Sequence, residues 1–141
     1  MEEIKGFTVR VYGLFIEEGK VLLSDEDYAG KQFTKFPGGG LEFGEGTIDC
    51  LKREVLEELN SNCEVISHFY TTDFMVQSAF DATKQVISIY YLARLERAIE
   101  YGYQSPEGEV FRWEELKSLS ADDLTFPIDQ KVLEMLQNQT A

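Results

Sequence analysis

The stretch LKREVLEELN, residues 51–60, carries Glu54, Glu57 and Glu58 three and four positions apart. On a helix that spacing gathers them. At about 100° per residue, Glu57 and Glu58 fall roughly 60° and 40° to either side of Glu54. Like charges so placed repel by about a few tenths of a kcal/mol per pair, in a chain that is already acidic. A hard divalent cation would relieve them. Magnesium prefers oxygen ligands, keeps several waters and bridges one or two carboxylates to substrate phosphates. Arg53, four residues before Glu57, is placed to pair with a carboxylate and fix its direction. Glu-rich helices are also common as solvated faces, so the helix alone leaves both readings open. Ile48, Leu51, Val55 and Leu59 make an apolar arc about a third of a turn away, and Leu56 widens it. The acids therefore lie at the margin of a buried stripe, where uncompensated charge is costly.

The preceding loop, FPGGGLEFGEG, sets Gly38, Gly39 and Gly40 together. Such residues let backbone approach a ligand closely and adopt positive φ. No GK[ST] follows, so this is not a Walker A loop. Loop and helix together resemble the signature of the Nudix hydrolase family: Gly, five residues, Glu, seven residues, then Arg-Glu-apolar-any-Glu-Glu-any-Gly-apolar. Gly39, Glu45, Arg53, Glu54, Val55, Glu57 and Glu58 stand at the required offsets. Seven such matches arise by chance on the order of once in a million chains of this size. Asn60 and Ser61 depart from the pattern. Asn serves the left-handed position at a helix C-terminus nearly as well as Gly, and Cys63 is placed to supply the apolar contact that Ser61 lacks.

The resemblance implies an α+β fold, a mixed β-sheet sandwiched between α-helices, with residues 1–141 forming one Nudix domain. It implies hydrolysis of a nucleoside diphosphate linked to another group, with Mg2+ or Mn2+. Glu54, Glu57 and Glu58 would hold the metal together with the backbone carbonyl of Gly38. Arg53 would orient a glutamate, Glu45 would place the loop or help activate water, and Glu54 would be the general base. Glu107 in SPEGEVFRW is the favoured extra ligand, with Glu109 the other acid on offer. Gly39, Arg10 (in an otherwise apolar strand) and Lys35 (just before the glycines) are candidates to meet the substrate. Phe7, Tyr28, Phe33, Phe74, Tyr101 and Phe126 include stacking partners for a base, or core. His68 reads as a structural strand histidine. The alternative function is a nucleotide-sensing module without turnover, which would be expected to lose ligating glutamates.

The elements that must position these residues follow from pattern. FTVRVYGLFI (7–16) and VLLSDE (21–26) read as strands joined by the turn EEGK. A short strand is expected near 33–36 and a helix over 48–59, with Thr47 as its N-cap and Asp49 in its first turn. Residues 63–76 and 84–95 read as long strands, 110–113 as a short one, and WEELKSL as a brief helix. After Pro127, apolar residues at 128, 132, 133, 135 and 136 predict an amphipathic helix.

Bulk properties narrow the partners. Thirteen basic and 26 acidic residues among 141 give a net charge of −13, without any Lys/Arg run. Bulk nucleic acid and anionic lipid are disfavoured, and a small nucleotide substrate is the expected partner. There is no membrane-length apolar stretch, and the N-terminus lacks the basic n-region of a signal peptide, so a cytoplasmic location is expected. A homodimer is left open. Cys50 and Cys63 are expected to be reduced, buried thiols.

Overall fold

The computed structural model describes residues 3–139. β1 (Gly6–Glu17) turns through Glu18 and Gly19, both at positive φ, into β2 (Lys20–Tyr28), as the EEGK pattern predicts. Ala29 and Gly30 repeat that geometry into β3 (Lys31–Lys35). β4 (Gly38–Gly40), α1 (Thr47–Leu59), β5 (Cys63–Thr71), β6 (Lys84–Leu95), β7 (Tyr103–Gln104), β8 (Val110–Glu115) and α2 (Pro127–Gln139) follow. The sheet runs β5-β6-β1-β2-β8-β7, with β3 on β2 and β4 on β1. β1 lies parallel to β6, and the other pairings are antiparallel. The arrangement is α+β, with a mixed sheet between two helices.

β1 is buried on both faces, and its alternation divides the core. Val11 and Phe15 pack with Leu51, Val55 and Leu59 of α1. Tyr12 and Leu14 pack with Val132, Leu133 and Leu136 of α2. Period-2 side-chain direction in one strand thus serves two helices of period 3.6. Both helices are fixed against the same strand.

Several expectations are corrected. α1 starts at Thr47 but is capped by Gly46, in extended conformation and without a side-chain bond; the Thr47 hydroxyl instead meets the Tyr91 hydroxyl at 2.6 Å. Ile48 is exposed, and the buried stripe of α1 is Cys50, Leu51, Val55 and Leu59, extending to the opposite side of Leu51 from Ile48. Leu56 is exposed too. β5 ends at Thr71 rather than continuing to 76. There the Thr72 hydroxyl accepts from Ser88 N–H at 2.8 Å and donates to Ser88 O at 3.1 Å, beside the Thr72 N–H, which donates to the same carbonyl at 3.0 Å. WEELKSL continues β8 to Glu115 and then makes only a 3-10 turn, Leu116–Ser118. Asn60 does close α1 in the left-handed conformation (φ 50, ψ 44), its N–H donating to Leu56 O at 3.1 Å. Cys63 is buried beside Leu59 in the α1 core, while the buried Ser61 hydroxyl donates to Asn62 O and accepts from Arg97 N–H.

Candidate active site

β4 and α1 build the site between them. β4 is pinned to β1 by the register Val11↔Gly39 and Tyr12↔Gly38. Gly38 takes φ +148 and its Cα faces Val11 O, so a Cβ there would strike backbone. A Cβ at Gly39 would instead collide with the Glu54 carboxylate. The glycines therefore let strand backbone and the Glu54 side chain of α1 share one space.

Arg53 organises the acids. Its Nε and Nη2 donate to both oxygens of Glu45 at 2.9 and 2.8 Å, and Nη2 also donates to Gly40 O at 3.1 Å. Nη1 donates to Glu54 Oε1 at 2.9 Å and lies 3.4 Å from Glu57 Oε2. The forked guanidinium is suited to this, since its donors are rigidly divergent. Hydrogen bonds from Arg53 and from Glu42 N–H hold the Glu45 carboxyl down at about 2. Cys50 Sγ lies 3.5 Å from Gly40 O, and burial pushes its thiol up to about 12, so it packs as a thiol and not a thiolate.

Glu58 is the strained member. Burial is the main reason its pKa rises to about 9; Lys35 opposes the rise, and Glu54 and Glu109 add to it. Its Oε2 is buried without a hydrogen-bond partner. Among the described residues, no three His, Cys, Asp or Glu side chains already converge as a ligand set; Arg53 instead engages Glu54 and Glu57. The donors available are hard oxygens throughout, and an orphaned carboxylate oxygen stands among them. That chemistry fits Mg2+ or Mn2+.

The two acids of SPEGEVFRW differ in setting. Glu107 is exposed at a turn before Gly108, whereas Glu109 is partly buried, accepts a hydrogen bond from the Ser105 hydroxyl and acts on Glu58. His68 is exposed, bonded to Thr71 and edge-on to Tyr91, away from the acids.

Beside the acids lies a cavity of about 600 Å³. Arg10 and Lys35 both line it, Arg10 reaching electrostatically to Glu54 and Lys35 to Glu58. Arg10 Nε donates to the Tyr12 hydroxyl at 2.5 Å. Phe80 and Phe126 form part of the wall, Phe33 stacks on Phe126, and Tyr28 meets Phe80 edge-on. Phe7, Phe74 and Tyr101 are exposed and do not line it. Asp129, Tyr90, Tyr12 and Phe80 belong to this cavity and were not singled out from sequence. For Asp129 a signal existed: it sits four before Leu133 and seven before Leu136, an acid on the buried stripe of α2.

A family model described as NUDIX domain matches residues 5–136. The chain belongs to that family. An RNA pyrophosphohydrolase of Helicobacter pylori (strain P12) is 34% identical over 96 residues, 60% of this chain and 60% of the relative. The chain thus spans about 60% of the length of the curated relatives it matches. A NUDIX hydrolase from Nitrosomonas europaea shares the fold with a TM-score of 0.77 at 19% identity, over 94% of this chain and 90% of that one. The solution structure of the E. coli ORF135 protein gives 0.75 at 19% identity, over 98% and 93%. In Nudix terms, α1 is the helix of the signature and β4 its glycine strand, joined here through Arg53. Among the described residues no helix is long and apolar enough to cross a membrane.

Proposed function

We propose that this chain is a divalent-metal-dependent pyrophosphohydrolase, acting in the cytoplasm as a single domain on a nucleoside diphosphate linked to another group. One observation carries the reading: Arg10 and Lys35 both line a cavity of about 600 Å³, and Lys35 donates to the carbonyl of Gly38, next to the Gly39 that meets Glu54. That volume accommodates a nucleoside.

Glu54, Glu57, Glu58 and the carbonyl of Gly38 would hold Mg2+ or Mn2+, with Glu107 or the partly buried Glu109 as the further acid. When bound, such an ion neutralises phosphate oxygens and lowers the pKa of a coordinated water. The chain's own groups do the rest. Arg53 donates to Glu54 Oε1 and so orients the carboxylate proposed to take the proton of the attacking water. Glu45, held ionised by Arg53, ties the loop to the helix. Arg10, which lines the cavity, neutralises the diphosphate.

The Helicobacter relative is named an RNA pyrophosphohydrolase, which raises RNA as a substrate. A net charge of −13 without a basic run weighs against a long polyanion, and favours a mononucleotide-sized substrate. The test is Mg2+-dependent turnover of nucleoside triphosphates, ADP-ribose, nucleotide sugars, dinucleoside polyphosphates and 5′-triphosphate RNA, with products identified. Glu57→Gln should lose roughly 10²-fold or more of kcat on the cleaved substrate. Equal rates for that variant, or no cleavage of any compound, would refute the assignment. Tight binding without product would instead favour a sensing module.

A further inference from the structure

We propose that the cavity floor reads the edge of an oxo nucleobase, with Lys35 donating to its exocyclic carbonyl and Asp129 accepting from the adjacent ring N–H. The inference rests on the reading above, that the cavity holds the nucleoside part of a phosphorylated substrate.

Two buried, incompletely satisfied groups face one cavity. Asp129 is 1% exposed; one oxygen accepts from the Tyr90 hydroxyl, and Oδ2 has no partner. Lys35 is 3% exposed, and its ammonium makes one long hydrogen bond, 3.4 Å, to Gly38 O, with the Tyr12 ring 5.7 Å away. Both line the cavity, and they act on each other through space. A buried carboxylate oxygen without a donor, and an ammonium with protons to spare, are each unfavourable. A ligand offering an acceptor next to a donor satisfies both at once. Phe126, Phe80, Ile128 and Val86 supply apolar walls for a ring.

The charges choose among bases. An ammonium is best matched by the most negative edge atom, an exocyclic oxygen. A carboxylate is best matched by the most acidic N–H, that of a lactam or imide ring nitrogen. Guanine, hypoxanthine and uracil carry those two atoms side by side. Adenine and cytosine can only turn an amino group to Asp129 and a ring nitrogen to Lys35, the weaker match in both bonds.

Nucleoside monophosphates hold no diphosphate bond, so their binding is measured with Mg2+ present and no turnover. By calorimetry, GMP, IMP and UMP should bind at least about tenfold more tightly than AMP and CMP. In Lys35→Met and Asp129→Ala, circular dichroism confirming the fold, that ratio should fall toward one. The wild-type panel alone decides if neither variant folds. AMP or CMP binding as tightly as GMP, no binding by any of the five, or a preference that survives in both variants overturns the proposal. Failure of the activity reading looks different: oxo preference in binding, with no nucleotide cleaved. Conversely, cleavage of GTP and ATP with equal kcat/KM leaves the hydrolase standing and removes this specificity.

Discussion

Arg53 touches Glu45, Glu54, Glu57 and the Gly40 carbonyl with one planar group. Lysine carries the charge but has no fork, so Arg53→Lys cannot hold these partners together. We expect kcat to drop by about tenfold or more, with the melting temperature changed little, since the partners are partly solvated. Equal kcat in the two proteins would mean that Arg53 serves the surface and not the site. Asp129 behaves oppositely. Burial lifts its carboxyl to about 6; the Tyr90 hydroxyl, Lys35 and Arg10 restrain the rise without cancelling it. A carboxyl whose folded pKa exceeds its unfolded value favours folding when protonated. Its contribution is therefore complete below about pH 4 and is lost as pH rises to about 6, a swing of roughly 3 kcal/mol. Asp129→Asn should gain stability over wild type by about that amount between pH 4 and pH 7, as read by urea denaturation at each pH. A difference independent of pH would show that Asp129 does not titrate in this range.

At the scale of elements, the first two glycines of β4 separate stability from chemistry. Gly38→Ala places a Cβ against Val11 O at a φ of +148, and should cost about 2–4 kcal/mol of folding stability. Gly39→Ala meets only the mobile end of Glu54, so its melting temperature should stay close to wild type while kcat falls about 10- to 100-fold. Thermal melts and turnover on the two variants check the pair, and a Gly39→Ala enzyme at full rate would contradict the placement of Glu54. The contrast also explains what could be read from the sequence. The signature residues lie within 23 consecutive positions on a loop and a helix, so local spacing carried their juxtaposition. β1, β2, β6 and α2 were legible from period-2 and period-3.6 patterns. The cavity was not, because Arg10, Lys35, Tyr90, Phe80 and Asp129 come from β1, β3, β6, the segment before β6, and α2. The parallel pairing of β1 with β6, whose partners are 78 residues apart in sequence, brings Arg10 and Tyr90 together, and the pairing of β3 on β2 and the packing of α2 add the rest. Glu107 and Glu109 lie two positions apart on one turn, and the Ser105–Glu109 hydrogen bond that distinguishes their settings is not visible in composition.

The whole molecule carries −13 charges, and this shapes how it should meet its metal. Any cation stabilises such a body by screening, so a rise in melting temperature with Mg2+ is ambiguous by itself. Site binding adds a different contribution, set by RT ln(1 + [L]/Kd), which at a hundredfold excess over Kd is about 2.7 kcal/mol. For a chain of this length that corresponds to about 5–10 °C. The informative comparison holds ionic strength constant, with MgCl2 against NaCl, in wild type and in a Glu57→Gln/Glu58→Gln double variant. The wild type should melt higher in MgCl2, and EDTA should abolish the excess. The double variant should melt alike in both salts, because it keeps the diffuse charge of the body but lacks two of the carboxylates assigned to the ion. An equal Mg2+ advantage in both proteins would place cation binding elsewhere on the acidic surface, and would separate the carboxylates of α1 from the metal they are proposed to hold.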